Sequence, residues 1–574
     1  MEKTDTVILP ELSMFLSTMQ SQSGGGRTAL LPCLHTAQEL YGYIPETVIQ
    51  EIANNLEITS DEIYDVIDYF PLFHRKPVSK TIIHICNDHR CKLAGYETVF
   101  KSLQYHMDED EFIGEEVIQE TPCLGLCVHT PSLLIQGGLM RIPVKNIRAN
   151  YKEKDGKHSR TTILGKNRQI TRNCGKGRTC TLMEYWSKNG YQALKSILGK
   201  PCDSVIAEIK SSGLTGRGGE SLLTGIKWEK AAAASNKPKF IICNASESDP
   251  TSFKDRILLE DDPHSILEGM IIAGYALQAN QGYLCINGNY DLAYHILSDA
   301  IIDAREAGLL GKNIMGSNFN FEIEIRKCAG RYVSGEETAL LEMIEGKCAI
   351  PRNKPPFSTS QGLFGKPTVV NNVETFANVP IIIQSGALKY RKIGTETSKG
   401  TMLISLTGDV QNPGLAEIPF GTTFRELIFK MAGGTTDNVP FLAALVGGVT
   451  GTFISETELD NPISLEYFKK AGISRGLGSI IVFDNNRNLA DILFKISRFV
   501  ANESCGKCSS CVIGTRVQQD VMKKSRSGKL KPEDLKAFKD ARQLMDRKGL
   551  CRLGKEAMIP GQSAFIKWPS LFFE

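Results

Sequence analysis

The sequence predicts an α/β protein of several domains with helical ends, and three observations carry that prediction. The chain has 574 residues, and domains run at about 100–200 residues each. β-branched runs bounded by turn residues alternate with apolar stretches of helical period through most of the chain. The two ends, residues 27–73 and everything after Leu489, keep the helical period instead.

Leu34, Ala37, Leu40, Tyr41 and Ile44 recur at helical spacing ahead of Pro45, and Ile49, Ile52, Leu56 and Ile58 follow. Thr59-Ser60-Asp61-Glu62 has the form of a helix start before Ile63, Val66 and Ile67. Thr81 to Ile85 then reads as a strand, about Ala94 to Gln104 as a helix, and residues near 116–120 and 132–136 as strands. That order is a small α/β sheet. Residues 151–172 are rich in Lys, Arg, Asn and Gly, the composition of a linker. A larger α/β region with several glycine loops runs from about 178 to 395. Met402 to Leu406 and Ile480 to Phe483 read as strands around a helix near 423–432, a small α+β module. The segment after Leu489 is helical and basic.

Hydrophobic residues make up 41% and charged residues 23% of the chain, as in ordinary globular proteins. The 67 basic and 64 acidic residues leave a net charge of +3, which gives no sign of nucleic acid or a membrane surface as partner. No apolar run reaches the roughly 20 residues of a spanning helix. The N-terminus has neither a secretory nor a transit pattern, so the expectation is a cytoplasmic protein with no direct membrane insertion.

Sixteen cysteines in a reducing compartment point to metal or redox chemistry rather than disulfides. Cys505, Cys508 and Cys511 form C-x2-C-x2-C, and Cys551 lies 40 residues beyond Cys511. Three closely spaced thiolates with a distant fourth suit a [4Fe–4S] cluster; zinc is the alternative, although zinc ribbons more often pair two C-x2-C units. Cys86 and Cys91 form C-x4-C after the predicted strand, and Cys123 and Cys127 form C-x3-C. Two pairs from two loops match a [2Fe–2S] cluster, against zinc or a redox dithiol. His84, His89 and His129 flank this site and read as surface or packing residues. Cys33, Cys202, Cys243, Cys285, Cys328 and Cys348 read as small core hydrophobes. Cys174 and Cys180 are assigned no site.

Gly213 to Gly219 is a dense glycine loop that follows a helix, so the Rossmann fingerprint is not met. Exposed amides with Arg217 and Lys227 still suit an anion. Asn244 and Glu247 follow the strand Phe240-Ile241-Ile242. Tyr332 to Thr338 joins an aromatic, Gly335 and the carboxylates Glu336 and Glu337 ahead of a helix. Asn371 and Asn372 follow a short apolar run. Amides of this kind can bond the polar edge of an isoalloxazine, and an aromatic can cover its face. On their own, Glu336 and Glu337 read as helix N-terminal caps.

Together, Gly213–Trp228, Cys243–Arg256, Tyr332–Phe357, Gly362–Pro380 and Glu503–Cys551 resemble the NADH-oxidising flavoprotein subunit of respiratory complex I. They equally resemble the diaphorase subunits of NAD-reducing hydrogenases and formate dehydrogenases. The N-terminal part is similar to that flavoprotein's thioredoxin-fold [2Fe–2S] partner, fused here into one chain. The resemblance implies a helical segment at 1–79, a thioredoxin-like [2Fe–2S] domain at 80–150 and a linker at 151–177. It implies an atypical Rossmann-like domain for FMN and NAD(H) at 178–400, a ubiquitin-like (β-grasp) module at 401–485 and a helical [4Fe–4S] bundle at 486–574. It implies FMN at Gly216, Arg217, Gly218, Lys227, Asn244, Gly335, Glu336, Asn371 and Asn372, with Tyr332 a further cofactor-binding residue. NAD(H) would lie near Glu247, Glu337, Lys354 and Phe357, with Glu337 and Glu247 as the catalytic carboxylates. A carboxylate such as Glu247 near the adenosine ribose disfavours a 2′-phosphate, so NAD is expected over NADP. Electrons would leave through the clusters to iron–sulfur and catalytic subunits of a multi-subunit redox complex.

The sequence departs from the family on the nucleotide side. Glu220-Ser221-Leu222-Leu223-Thr224-Gly225 stands where Ala-Gly-Phe-Pro-Thr-Gly is usual, so Leu222 replaces a stacking aromatic. Lys230, Ser246, Thr251 and Arg331 are further departures, and Ser509, Ser510 and Val512 depart around Cys511 while the ligands remain. The alternative expectation is therefore an electron-relay flavoprotein with a degenerate NAD(H) site.

Overall fold

In the computed structural model, residues 8–23, 29–69, 73–76, 81–93, 95–97, 99–100, 116–123, 131–136, 140–143, 161–473, 476 and 478–572 are described. The chain divides into two compact units, Met1–Asp88 with Tyr96–Leu124 and Pro131–Gly156, and His89–Gly95 with Gly125–Thr130 and Lys157–Glu574.

The first unit opens with helices Pro10–Ser23, Leu30–Tyr41, Glu46–Leu56 and Ser60–Tyr69. The first of these lies upstream of the predicted helical stretch. The third shows why such segments fold. Pro45 presets its entry, Glu46 sits in its first turn, and Val48, Ile49, Ile52, Ala53 and Leu56 fall on one buried face. The strands β1 (Thr81–Cys86), β2 (Glu116–Thr121), β3 (Ser132–Gln136) and β4 (Met140–Pro143) form one sheet in the order β2-β1-β3-β4. β1 pairs parallel with β2 and antiparallel with β3. Most of the helix expected at 94–104 lies outside the described residues.

The second unit holds two sheets and a helical bundle. β6 (Phe240–Ala245), β7 (Gln281–Asn287), β8 (Glu322–Cys328) and β9 (Thr368–Asn372) are all parallel, in the order β8-β7-β6-β9. Both faces are covered, as a parallel sheet requires. Ile241, Cys243 and Ala245 of β6 join one core, while Phe240 and Ile242 join another with Leu340 and Leu341. The chain runs from β6 outward to β8 and then returns to β9 on the far side of β6. The strand order therefore reverses between β6 and β9, the place where open α/β sheets open a crevice for ligands.

The middle module pairs β10 (Thr401–Gly408) antiparallel with β11 (Gly414–Pro419) and parallel with β14 (Ser479–Asp484). β12 (Phe441–Val446) and β13 (Thr452–Ile454) complete it in a β-grasp arrangement. The helix expected at 423–432 contains a π-helical turn, Glu426–Met431. β5 (Ile163–Leu164) adds an edge strand beside β11. It falls inside the stretch read as linker. Its polar composition misleads because the buried Glu417 on β11 accepts the backbone N–H groups of Gln169, Ile170 and Thr171 at 2.9–3.0 Å. A carboxylate almost 250 residues away thus satisfies amides that look solvated in the sequence.

The C-terminal helices are Leu489–Asn502, Ser509–Arg526, Pro532–Lys548, Arg552–Glu556 and Ile559–Lys567. Asn488 caps the first through the Asp491 amide, and Leu489, Ile492, Leu493, Ile496 and Val500 make its buried stripe. Pro532 opens the third with Glu533 and Asp534 in its first turn, and Arg547 and Lys548 close it, matching the helix dipole at both ends. No helix among the described residues is long and apolar enough to cross a membrane.

Candidate functional site: a flavin crevice beside a cysteine-lined pocket

The glycine loop begins where helix Cys202–Ser212 ends. Gly213 adopts the left-handed cap conformation there. The loop closes on itself through Gly216 N–H to Leu222 O at 2.8 Å and leads into helix Thr224–Ala233. Gly218 backs onto β9, where an added Cβ would stand 3.1 Å from Cβ of Asn372. The bare backbone is what lets the loop reach the crevice at the ends of β6 and β9. Asn244 and Asn372 are direct neighbours in the β6–β9 register, and Asn371 lies opposite Cys243. All three predicted asparagines therefore gather at the strand-order reversal.

Neighbouring bonds fix their amides. Asn244 Nδ2 donates to Gly335 O at 2.9 Å. Asn371 Oδ1 accepts from the buried Trp228 indole at 2.9 Å. Asn372 bridges Asp255 (2.6 Å) and the Lys254 ammonium (2.8 Å). Lys227 Nζ donates to Val370 O at 2.8 Å and pairs with Glu337 at 3.1 Å. Lys354 pairs with Glu336 at 3.0 Å and lies 3.8 Å from Glu220. Glu337 also accepts from Ser358 Oγ. Burial raises its pKa, but Lys227, Ser358 and Lys354 outweigh that and hold it below the usual carboxylate range. The paired carboxylates thus have different roles. Glu336 caps helix Glu337–Ile344 by accepting the amides of Thr338 and Ala339, whereas Glu337 turns to Lys227. Phe357 is 60% exposed and Leu222 58% exposed.

Arg217 and Glu247 face inward. The Arg217 guanidinium is buried, donates to Thr215 and to Lys399 O, stacks over Phe420 and lies 3.6 Å from Glu374. It braces the loop from behind, and its backbone N–H donates to Thr375 Oγ1. Glu247 is 5% exposed. It accepts from Ser252 Oγ, the Asp255 and Arg256 amides and Tyr290 Oη at 2.7–3.2 Å, so it anchors the start of helix Lys254–Asp261. Burial and the nearby Asp255 raise its pKa to about 7.

Sequence reasoning missed the buried charges beneath these groups. Lys254 is wholly buried between Asp255 (2.6 Å) and Glu374 (3.1 Å). It is a poor core residue by type, and the sign available in the sequence was Lys-Asp-Arg directly after Phe253.

Cys505, Cys508, Cys511 and Cys551 line one pocket with Val333, Pro351, Leu550 and Leu553. Lys507 Nζ latches the cysteine loop to Pro351 O at 2.6 Å. Burial pushes the Cys551 thiol up to about 11, while Ser504 Oγ and the Gly554 amide approach the Cys511 and Cys551 sulfurs at 3.4 and 3.5 Å. A four-sulfur pocket with polar groups near the sulfurs fits a cubane cluster. Among the described residues no three His, Cys, Asp or Glu side chains are drawn together as around one metal ion. Tyr332 joins crevice and pocket: its N–H donates to Glu503 at 2.8 Å, and its ring packs edge-on against Phe499 at 6.0 Å.

In the first unit, Cys86 ends β1 opposite Thr121 of β2, and Cys123 follows two residues beyond. The two thiols thus leave paired strands at the same end. Cys91 lies on helix His89–Leu93, which belongs to the second unit. Cys127 and His129 lie outside the described residues. His84 is buried on β1, and the ring of His89 packs against Phe499 at 4.6 Å with its pKa lowered by burial to about 4.

Comparison with known proteins agrees with this layout. Residues 209–381 match the model of the Nuo51 FMN-binding domain. Residues 16–145 match the thioredoxin-like [2Fe-2S] ferredoxin, and residues 491–574 match the NADH-ubiquinone oxidoreductase-F iron-sulfur binding region. An NADH-quinone oxidoreductase subunit of Aquifex aeolicus is 43% identical, over 67% of this chain and 88% of its own length. The NADP-reducing hydrogenase subunit HndC of Solidesulfovibrio fructosivorans is 42% identical, over 70% and 81%. A chain from the crystal structure of an NAD+-reducing [NiFe]-hydrogenase aligns with a TM-score of 0.69 at 26% identity, over 95% of this chain and 92% of its own. The chain belongs to the family of NADH-quinone oxidoreductase subunits built on the Nuo51 FMN-binding domain, iron–sulfur flavoprotein oxidoreductases, and it carries the [2Fe–2S] and [4Fe–4S] modules in one polypeptide.

Proposed function

We propose that this chain exchanges a hydride with NAD(H) in the β6–β9 crevice and delivers single electrons to partner subunits of a hydrogenase, formate dehydrogenase or related complex. FMN, when bound, supplies the conversion between a two-electron hydride and single electrons. The chain supplies position and field. Asn244, Asn371 and Asn372 present amides whose orientation is already fixed by Gly335, Trp228 and Lys254. Lys227 and Lys354 bring positive charge to the glycine loop, and their carboxylate partners hold them there.

The observation that carries the proposal is the Tyr332–Gly335 turn. Its Gly335 carbonyl holds Asn244 at the crevice, and its Tyr332 amide holds Glu503, two residues before the first cluster cysteine. One turn thereby ties the flavin crevice to the electron exit. The domain division and the residue roles expected above are part of this proposal, except those of the Arg217 and Glu247 side chains, which face inward. So is a cytoplasmic location, which the clustered metal-binding cysteines favour.

NAD is proposed over NADP on the resemblance alone, since Glu247 is turned inward and its raised pKa leaves it only partly ionised near neutral pH. A second reading, an electron relay with a degenerate NAD(H) site, rests on Glu220 beside Lys354 and on Leu222 at the exposed loop tip. Anaerobic titration of the purified protein with NADH, NADPH and dithionite, followed by flavin absorbance and EPR, separates the two. Bleaching by NADH supports the first reading. Bleaching by dithionite alone leaves only the second.

A further inference from the structure

The tip of the glycine loop carries an acid. Gly219 (φ +109°) and Ser221 (φ +60°) both take positive φ, so the chain bends sharply on either side of Glu220. The base of the loop is fixed by Gly216 N–H to Leu222 O at 2.8 Å and by the Thr215–Leu223 bridge. The bend brings the half-exposed Glu220 carboxylate to Lys354, with Nζ to Oε1 at 3.8 Å. Lys354 also holds Glu336 at 3.0 Å, and Lys227 holds Glu337 at 3.1 Å. Three carboxylates therefore face two ammoniums, and Glu220 is the acid in excess. Arg552 reaches the same loop, where a Cβ on Gly219 would stand 3.0 Å from it, but Glu556 at 2.7 Å and Gly447 O at 3.0 Å hold its guanidinium. Partial burial and the Glu337 charge raise the pKa of Glu220, against the pull of Lys227 and Lys354.

We infer that Glu220 is a built-in competitor for the dinucleotide: its carboxylate occupies Lys354 as an anionic ligand does, and protonation of Glu220 frees that lysine for NAD(H). This rests on reading the crevice as the NAD(H) site with Lys354 among its cations, and it adds a control of that site by pH. A dinucleotide brings a negatively charged pyrophosphate. At a mouth with one carboxylate in excess it meets repulsion as well as Lys354, whereas loss of one negative charge leaves acids and ammoniums in balance. Neither neighbouring acid fits this part. Glu336 is committed to the Thr338 and Ala339 amides, and Glu337 to Ser358 and Lys227, which keep its pKa low. The sign follows from the raised pKa of Glu220. As pH falls toward it, a proton cancels the excess charge and NAD(H) binds more tightly; binding in turn takes up a proton. Glu220 stands where the family usually has Ala, so the competitor is a property of this chain.

The test uses full-length protein, anaerobically purified and reconstituted with iron, sulfide and FMN. NAD+ is the probe, because it binds oxidised protein without turnover, and its dissociation constant is read by equilibrium dialysis between about pH 5.5 and 8. Native protein is expected to bind NAD+ roughly tenfold more weakly at the alkaline end than at the acid end. Glu220→Gln keeps the size of the side chain and removes its charge. It should bind roughly tenfold more tightly than native protein at the alkaline end and within about twofold of it at the acid end. Added salt should narrow that gap, because the carboxylate is half-exposed and screened. If Glu220 only shapes the loop, Glu220→Gln binds equally or more weakly at every pH, which overturns the inference. An equal gain at every pH, or a gap indifferent to salt, overturns it as well. If Glu220→Gln does not fold, native protein decides: a pH profile that flattens in high salt supports the inference, and a profile flat at low salt overturns it. Absence of NAD+ binding by both proteins at every pH overturns the NAD(H) reading of the crevice itself, a distinguishable result, because FMN and iron contents are measured on the same samples.

Discussion

The flavin crevice and the cluster pocket lie in the same compact unit but are built by opposite means. Beneath the crevice, Lys254, Asp255, Glu374, Arg217 and Glu247 form a buried, hydrogen-bonded charge network. The cluster pocket has Val333, Pro351, Leu550 and Leu553 beside Glu503, Ser504 and Lys507, and its chemistry rests on four sulfurs. The crevice must orient a polar ring and a phosphate, so it needs fixed dipoles and charges in low dielectric. The cluster brings its own charge and takes soft ligands, so the protein needs chiefly their spacing.

The largest test of this contrast removes a sulfur. Cys511→Ser is expected to abolish the [4Fe–4S] EPR signal and lower iron content by roughly four atoms per chain, with FMN retained. Loss of FMN alongside the iron would break the comparison. Lys254→Met should act in the other direction. It leaves Asp255 buried without its cation and Glu374 with Arg217 alone, at a cost of about 3–5 kcal/mol. Thermal unfolding and flavin content should both fall while cluster iron persists in the folded fraction.

The pH dependence sharpens the same point. Glu247 has a pKa near 7 in the folded chain against 4.5 for the free side chain. The native state therefore holds its proton longer than the unfolded state does. Its contribution is fully present below about pH 4.5 and is lost as pH rises through 7, a loss of up to about 3 kcal/mol. Glu247→Gln should flatten that slope in denaturant titrations across pH 4.5–7, and an unchanged slope would assign it to other buried acids. The smallest effect is at the loop tip. Leu222→Phe should restore a stacking surface worth about 1 kcal/mol and lower KM for NADH roughly fivefold, read by steady-state kinetics. An unchanged KM would place the nucleotide away from Leu222.

Several features were legible before any coordinates. C-x2-C-x2-C with Cys551 pointed to one pocket, because thiolate spacing is a local property. Helix Leu489–Asn502 was legible from its apolar period, and the expected strands from β-branched runs. Glu336 as a cap was legible too. What was hidden depended on distant partners: Glu417 gathering the amides of residues 169–171, and Lys254 lying between Asp255 and Glu374. Arg217 looked like a phosphate ligand from its glycine context, yet its side chain points into the core toward Glu374 and Phe420.

By itself the sequence determined most element types, the cysteine spacings and the family. These follow from periodicity, spacing and motif, which are written along the chain. Tertiary structure alone decided which way Arg217 and Glu247 face, and that Glu336 and Glu337 divide their roles. A side chain's partner is set by what the fold brings within about 3 Å of it, and no local pattern encodes that.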